Sequence, residues 1–237
     1  MSLFPTKQWL DEYKALLNES SALDDVAAGW GVGFNGAILL AITDLPLDDT
    51  TVRELPESVL ADVPEKICEG LTGLAYEDAP AEIDDSVRAE LPPAVQELLT
   101  QLDENVVGGA VYAYVGLEEG TCTEVEILEN PNERDVGAVI RGPCSTWQQI
   151  IDGRPATSAV LSGDLEVSGN GLLRPQYAAL LQLLGDVAAD VETTHLFEDP
   201  GTSLQDFVLD EAVRQPIAVQ RFAYQQAAWA TRMLSLF

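Results

Sequence analysis

Few residues in this chain are spaced to do chemistry. His195 is the only histidine in 237 residues. It stands in Thr194-His195-Leu196-Phe197 without the neighbouring Ser or Cys that a general base would activate, so a structural role is expected. Gly31-x-Gly33-x-x-Gly36 spells a dinucleotide fingerprint, which works only with a strand before it and a helix after it, so that a helix N-terminus meets the pyrophosphate. Here an acidic helical stretch precedes and the apolar run Ala37 to Ile42 follows as strand, so the glycines are read as letting a twisted strand pass close to a helix or a ligand. Asp48-Asp49 and Asp84-Asp85 would suit a metal or an acid–base pair. Among 40 acidic residues such pairs arise by chance, and both lie in turn-like sequence, so they are read as solvated surface. Cys68, Cys122 and Cys144 are far apart and odd in number, with neither metal-ligand nor disulfide-framework spacing, and are expected to be reduced and mostly buried. No nucleophile elbow, metal triad or phosphate loop appears. The expectation is a non-enzyme with no cofactor, no metal and no catalytic residue.

Charge narrows the class further. The chain has 40 acidic and 12 basic residues, a formal charge of −28, and only three lysines, Lys7, Lys14 and Lys66. Such a surface repels nucleic acid and anionic membranes. The acids interleave with periodic apolar residues, and the hydrophobic fraction is 46%, so the chain is read as folded rather than disordered. An acidic, lysine-poor surface resembles the proteins of halophilic archaea, whose cytoplasm screens charge within a few ångströms. No charged-then-apolar leader opens the sequence, and no run reaches the roughly 18 apolar residues of a membrane span. A cytoplasmic protein without stable membrane insertion is expected.

The elements that must position any site are clearest between Arg141 and Gly171. Gly142-Pro143 breaks the preceding segment, and Ser145 or Thr146 is placed to cap a helix whose apolar face is Trp147, Ile150 and Ile151. Asp152-Gly153 stops it. Pro155 opens a second short helix that Ser162-Gly163 ends. Asp164 to Ser168 alternates as a strand, with Leu165 and Val167 on one side and Glu166 on the other.

Trp147 with Ile150, the Asp152-Gly153 stop, and Ala159-x-x-x-Gly163-Asp164-Leu165-x-Val167-x-Gly169 followed by an apolar helix resemble, in that order, the sterol carrier protein-2 lipid-binding family. The resemblance covers about residues 5–43 and 108–191. It implies an α+β fold, with a roughly five-stranded, largely antiparallel sheet covered by helices around an apolar tunnel. It also implies a lipid-binding domain over 1–197, with 44–107 as an insertion and 198–237 as a C-terminal helical extension.

Periodicity supplies the remaining elements. Trp9, Leu10, Tyr13, Leu16 and Leu17 stripe a helix over 5–19, and a short helix through Leu23, Val26 and Ala27 follows. Trp30 to Thr43 is read as the first strand. Within the insertion, helices are expected over 56–70 and 92–105, and a short strand over 71–76; the whole is read as solvated additions or as a lid over a ligand mouth. Gly108 to Arg141 reads as a meander: Val111, Ala113, Val115 and Leu117 alternate with Tyr112 and Tyr114, then Thr123, Val125 and Ile127 face inward, then Val136, Ala138 and Ile140. Gly171 to Val191 is read as a long helix with an apolar stripe including Tyr177, Leu180, Leu181 and Leu184. Beyond it, helices are expected over 202–213 and 217–236. From Ala212 onward the extension has Arg214, Arg221 and Arg232 and no acid. Its apolar residues are expected to pack on its own core or on a second subunit, giving a homodimer through the C-terminal helix. A helix lying on a membrane is the sharper alternative.

The resemblance implies non-catalytic binding and carriage or presentation of a hydrophobic lipid, with a fatty or isoprenoid chain. The expected tunnel residues are Phe34, Ile38, Val125, Ile127, Trp147, Ile150, Leu161, Leu165, Val167, Tyr177, Leu181 and Leu184. The alternatives are a structural or dimerisation module with a filled core, and an accessory domain presenting substrate to a partner enzyme. The charge alone makes one prediction. The thermal midpoint should rise between dilute buffer and molar potassium chloride as self-repulsion is screened; a midpoint indifferent to salt would remove the halophilic reading.

Overall fold

A computed structural model describes residues 2–61, 63–71, 73–169 and 178–197. The chain enters through a short strand, β1 (Ser2–Phe4), and the helix α1 (Lys7–Glu19), which starts where the Thr6 side chain accepts from Trp9 N. The stripe Trp9, Leu10, Tyr13 and Leu17 is the face α1 buries, as its three- and four-residue spacing requires. A second helix, α2 (Ser21–Val26), follows and buries Leu23.

The strand expected from Trp30 begins only at Ile38, as β2 (Ile38–Thr43). Residues before it turn, because Gly31 and Gly33 adopt φ of 84° and 78°, conformations that break a ladder. Trp30 is buried while Val32 is 59% exposed, so the alternation read from Trp30 to Gly36 does not describe a strand face. The glycines are used for a close approach: a side chain added at Gly36 would sit 2.2 Å from the Leu117 carbonyl oxygen, and the Trp30 indole donates to Gly36 O at 2.6 Å.

The insertion is helical, and its buried residues, Val52, Leu55, Tyr76, Leu98 and Leu99 among them, join the main hydrophobic core. The helix expected over 56–70 is two, α3 (Glu57–Leu60) and α4 (Glu65–Leu71), divided where Pro64 disfavours helix for the residue before it. The strand expected over 71–76 is a single bridge between Thr51 and Ala75. Two one-turn helices follow, α5 (Ala79–Glu82) and α6 (Asp85–Arg88). Asp84 caps α6 by accepting from the backbone N–H of Ser86 and Val87, a structural use for one of the acidic pairs. The helix expected over 92–105 is present as α7 (Pro93–Asn105), burying Val95, Leu98 and Leu99.

The sheet has six strands among the described residues. After the two-residue β3 (Val106–Val107) come the hairpin β4 (Ala110–Glu118) and β5 (Thr121–Leu128), then β6 (Ala138–Pro143) and β7 (Glu166–Gly169). They are not a simple meander. β2 lies between β4 and β6, antiparallel to the first and parallel to the second. The other pairings, β3–β4, β4–β5 and β6–β7, are antiparallel. The fold is therefore α+β with a mixed sheet, antiparallel in all but one pairing, as the resemblance implied apart from the parallel step and a sixth strand.

Between β6 and β7 stand α8 (Cys144–Ile151) and α9 (Ala156–Ser162). Ser145 and Thr146 do not cap α8; Pro143 occupies the N-cap position, without a side-chain bond. Gly163 ends α9 in the left-handed conformation at φ 84°, the role its position predicted. The described chain closes with α10 (Ala178–Asp190) and β8 (Thr193–His195), which pairs in parallel with β1 apart from the main sheet. The helices expected over 202–213 and 217–236 lie outside the described residues.

Two expectations follow from this packing. Gly36→Ala should destabilise the protein by about 1–3 kcal/mol in urea unfolding at molar salt, since its methyl group must displace backbone; a loss below ~0.5 kcal/mol would mean the loop yields. Burial pushes the Cys122 thiol up to about 11 and that of Cys144 up to about 12, from an ordinary 9.0, and also raises the Tyr13 and Tyr76 hydroxyls. Groups with raised native pKa contribute stability that is complete below their unfolded pKa and lost as pH climbs through the native one. The urea midpoint should therefore hold up to about pH 9 and fall toward pH 11–12. At neutral pH a thiol reagent should modify Cys68 well before the other two.

Candidate binding site

An apolar seam runs between the inner face of the sheet and the helices above it. Strand register builds its floor. Ile127, Ala113, Leu40 and Ile140 are successive cross-strand partners over β5, β4, β2 and β6, so period-two alternation brings one side chain from each strand to one row. Ile42 and Val111 form the next pair along. The roof comes from three helices. α1 supplies Trp9, Leu10 and Tyr13; α8 supplies Trp147, Ile150 and Ile151; α10 supplies Leu181, Leu184, Gly185 and Ala188. Phe4, Pro5 and Thr6 close one end, and Ala156 and Leu165 complete the wall. Gly185 is required by close packing: a side chain there would lie 2.8 Å from the Ala156 methyl and 3.3 Å from Ile150 Cγ2.

Within these walls is a cavity of about 40 Å³, counted as the space open to the centre of a water-sized sphere. Among the described residues no charged side chain lines it. Three of its polar groups have partners. The Trp9 indole donates to Thr193 Oγ1 at 2.8 Å, the Tyr13 hydroxyl to Leu184 O at 3.0 Å, and the Thr6 hydroxyl to Leu3 O at 2.5 Å. Burial holds the Tyr13 hydroxyl protonated far above the ordinary tyrosine range. The fourth, Trp147 Nε1, is buried and has no hydrogen-bond partner. A buried donor left unpaired costs about 1–3 kcal/mol.

Hydrogen bonds fix the roof at its ends. Asn18, at the end of α1, donates to Cys122 O at 2.9 Å and accepts from Cys122 N at 2.8 Å. At the other end Gln101 of α7 donates to Pro5 O at 2.7 Å and accepts from Lys7 N at 3.3 Å. The strap formed by β1 and β8 is held to α8 through His195 Nε2 and Asp152 Oδ1, 3.0 Å apart, while Gln148 Nε2 donates to Phe197 O at 2.5 Å. His195 is thus engaged in holding two elements together. Phe4 meets Trp9 edge-on at 5.0 Å, and Trp9 stacks on Tyr13 at 5.2 Å. Among the described residues no group of three or more His, Cys, Asp or Glu side chains could hold a metal ion, and no helix is long and apolar enough to cross a membrane.

Of the residues named from sequence, Ile127, Trp147, Ile150, Leu165, Leu181 and Leu184 line the seam together. Ile38, Val125 and Val167 belong to the same core but not to the cavity wall: Ile38 is fully buried, and Val125 and Val167 pack half-buried against it. Phe34 stands in the turn before β2, its ring edge-on to Trp30 at 5.1 Å. Leu161 is placed differently from its expectation. It is 88% exposed, because α9 buries Ala156 and Ala159 and a residue two positions beyond Ala159 points to the opposite side. Tyr177 lies outside the described residues. The omissions include Trp9, Leu10 and Tyr13 of α1, whose stripe was legible as a core face; only the tertiary arrangement shows that this face looks across the seam. Leu40, Ile42 and Ala113 were legible as strand positions without any sign that they floor a cavity.

No family model and no curated protein matches the chain. Three solved structures are similar to it. One is the solution structure of a conserved hypothetical protein from Thermus thermophilus described as possibly a sterol carrier protein; it is 22% identical, covers 82% of this chain and 92% of that one, and has a TM-score of 0.46. A crystal structure of sterol carrier protein 2 is 22% identical over 78% of this chain and 97% of that one, with a TM-score of 0.45. The apo form of Sterol Carrier Protein 2 from Yarrowia lipolytica is 11% identical over 76% and 88%, with a TM-score of 0.36. All three TM-scores are below 0.5, and the functional reading rests on this chain's own residues.

Proposed function

We propose that this chain binds a long-chain hydrophobic lipid, fatty or isoprenoid, non-covalently between sheet and helices, and carries or presents it without transforming it. The observation that carries the reading is the seam walled by three helices and the sheet, whose described lining is uncharged. The motifs from Trp147 to Gly169 that resemble the sterol carrier protein-2 family lead to the same reading. The binding domain is taken as residues 1–197, with 44–107 inserted and 198–237 appended, in a cytoplasmic protein. The appended segment is the candidate for a homodimer contact.

A cavity of about 40 Å³ is far below the ~300–1,000 Å³ of ligand pockets, so binding requires the seam to widen. The walls meet across it through apolar side chains, and such contacts can be exchanged for lipid methylenes at little cost. Each methylene taken out of water contributes about 0.8 kcal/mol. Polar ties hold α1 at both ends, through Asn18 and Gln101, and the Tyr13 hydroxyl ties its middle to Leu184 O of α10, so widening must break that bond or carry α1 and α10 together.

The narrow cavity also favours a second reading, a structural or dimerisation module whose core is simply filled. One experiment separates them. Protein purified in molar salt from a halophilic host should yield a lipid near one equivalent per chain in the organic extract by mass spectrometry. Protein stripped of it should bind a fluorescent fatty analogue that unlabelled lipid displaces. An empty extract together with no analogue binding would leave the structural module.

A further inference from the structure

We infer that the seam selects a neutral lipid bearing an oxygen that only accepts hydrogen bonds (a ketone, ester or ether), with that oxygen taking the indole N–H of Trp147. The inference rests on the lipid-binding reading above and narrows its ligand class. Trp147 is 9% exposed, lines the cavity and has its Nε1 buried without a partner. The donors of Trp9, Tyr13 and Thr6 are already satisfied within the protein, so Trp147 Nε1 is the one donor the described lining leaves open. A lone donor is completed by a lone acceptor; a saturated hydrocarbon would leave its desolvation cost standing. A carboxylate would also accept, but the described lining holds no cation to receive it, and burying an unpaired charge in apolar surroundings costs far more than one hydrogen bond contributes. The net charge of −28 disfavours an anion at the approach as well. The chemistry of the lining thus selects on two counts, for an acceptor and against a charge.

Three probes of similar chain length test this on the full chain in molar potassium chloride: hexadecane, methyl palmitate and palmitate. Affinities are taken by displacement of a fluorescent fatty analogue, for the natural protein and for Trp147→Phe. Comparing the two proteins probe by probe cancels the probes' differing solubilities. The expected result is that Trp147→Phe weakens methyl palmitate about five- to tenfold more than it weakens hexadecane, the loss of one hydrogen bond. Calorimetry in buffers of different ionisation enthalpy should show palmitate entering with uptake of about one proton, as the neutral acid. The natural protein gives a measurement that does not depend on the variant's folding. With indole-¹⁵N labelling, the Trp147 N–H proton resonance should move downfield on loading methyl palmitate and not on loading hexadecane. Equal losses for the two probes, or an indole resonance that responds alike to both, would overturn the anchor while leaving lipid binding in place. Palmitate entering as the anion would overturn the charge selection. If none of the probes displaces the analogue and none binds directly, the lipid-binding reading itself fails.

Discussion

The structure depends on one placement, β2 hydrogen-bonded to β4 along one edge and to β6 along the other. Leu40 faces Ala113 on one side and Ile140 on the other, which fixes the row that floors the seam. A slip of one residue in β2 would turn Ile38, Leu40 and Ile42 to the opposite face and bring Leu39 and Ala41 to the helices. Both sets are apolar and buried, so alternation within β2 alone does not decide the register. Its neighbours do. The inward Val111, Ala113 and Val115 of β4 alternate with Tyr112 and Tyr114, and Arg134, paired with Glu124 and Glu126, lies 5.3 Å from the Tyr114 ring on the other face. A strand inside a sheet needs apolar residues on both faces, and the cost of that composition is ambiguity that its partners resolve.

That placement also explains what could be read from the sequence. The helix stripes of α1, α8 and α10 and the alternation of β4 and β5 are local periodicities, and the elements stand where those periods put them. The position of β2 is not local. About a hundred residues separate it from β6, and nothing in the intervening turns indicates that the strand is inserted between β4 and β6 in parallel. The early part of the expected first strand failed for a different reason. Trp30, Val32 and Phe34 alternate correctly, but positive φ at Gly31 and Gly33 overrides a hydrophobic pattern. Leu161 shows the limit of apolarity as a signal: a leucine on a seven-residue helix is interior only if that helix turns its side inward, and α9 uses two alanines to approach α10 closely. Half of the twelve residues named as tunnel wall line the cavity, five of them on β5, α8 and α10, whose periods were legible in the sequence.

The exterior and the seam obey opposite constraints. The surface carries an excess of negative charge that low salt leaves unscreened, whereas the described lining of the seam carries none. Expansion under self-repulsion and opening for a ligand act on the same packed layer, the helices over the sheet. A protein of this composition needs that layer closed firmly enough to resist the first, and loosely enough to permit the second. Polar ties serve the first: two hydrogen bonds join Asn18 to Cys122, Gln101 joins the Pro5 and Lys7 backbone, and the Tyr13 hydroxyl joins α1 to α10 at Leu184 O. The apolar contact between helices and sheet across the seam serves the second.

A closed seam is therefore compatible with a carrier, and the energetics indicate how. In the closed form the apolar walls satisfy one another, at native packing density and with little void to penalise. The exception is the Trp147 indole, whose unpaired N–H costs about 1–3 kcal/mol. Opening exchanges wall-to-wall contact for wall-to-lipid contact, which is nearly neutral, since both are apolar burial of similar density. The gain then comes from lipid surface removed from water at about 25 cal/mol per Å², together with relief of the indole. The state without lipid thus holds one small and specific cost that the loaded state removes. A filled structural core has no use for that donor, and an apolar side chain at position 147 would leave none unpaired.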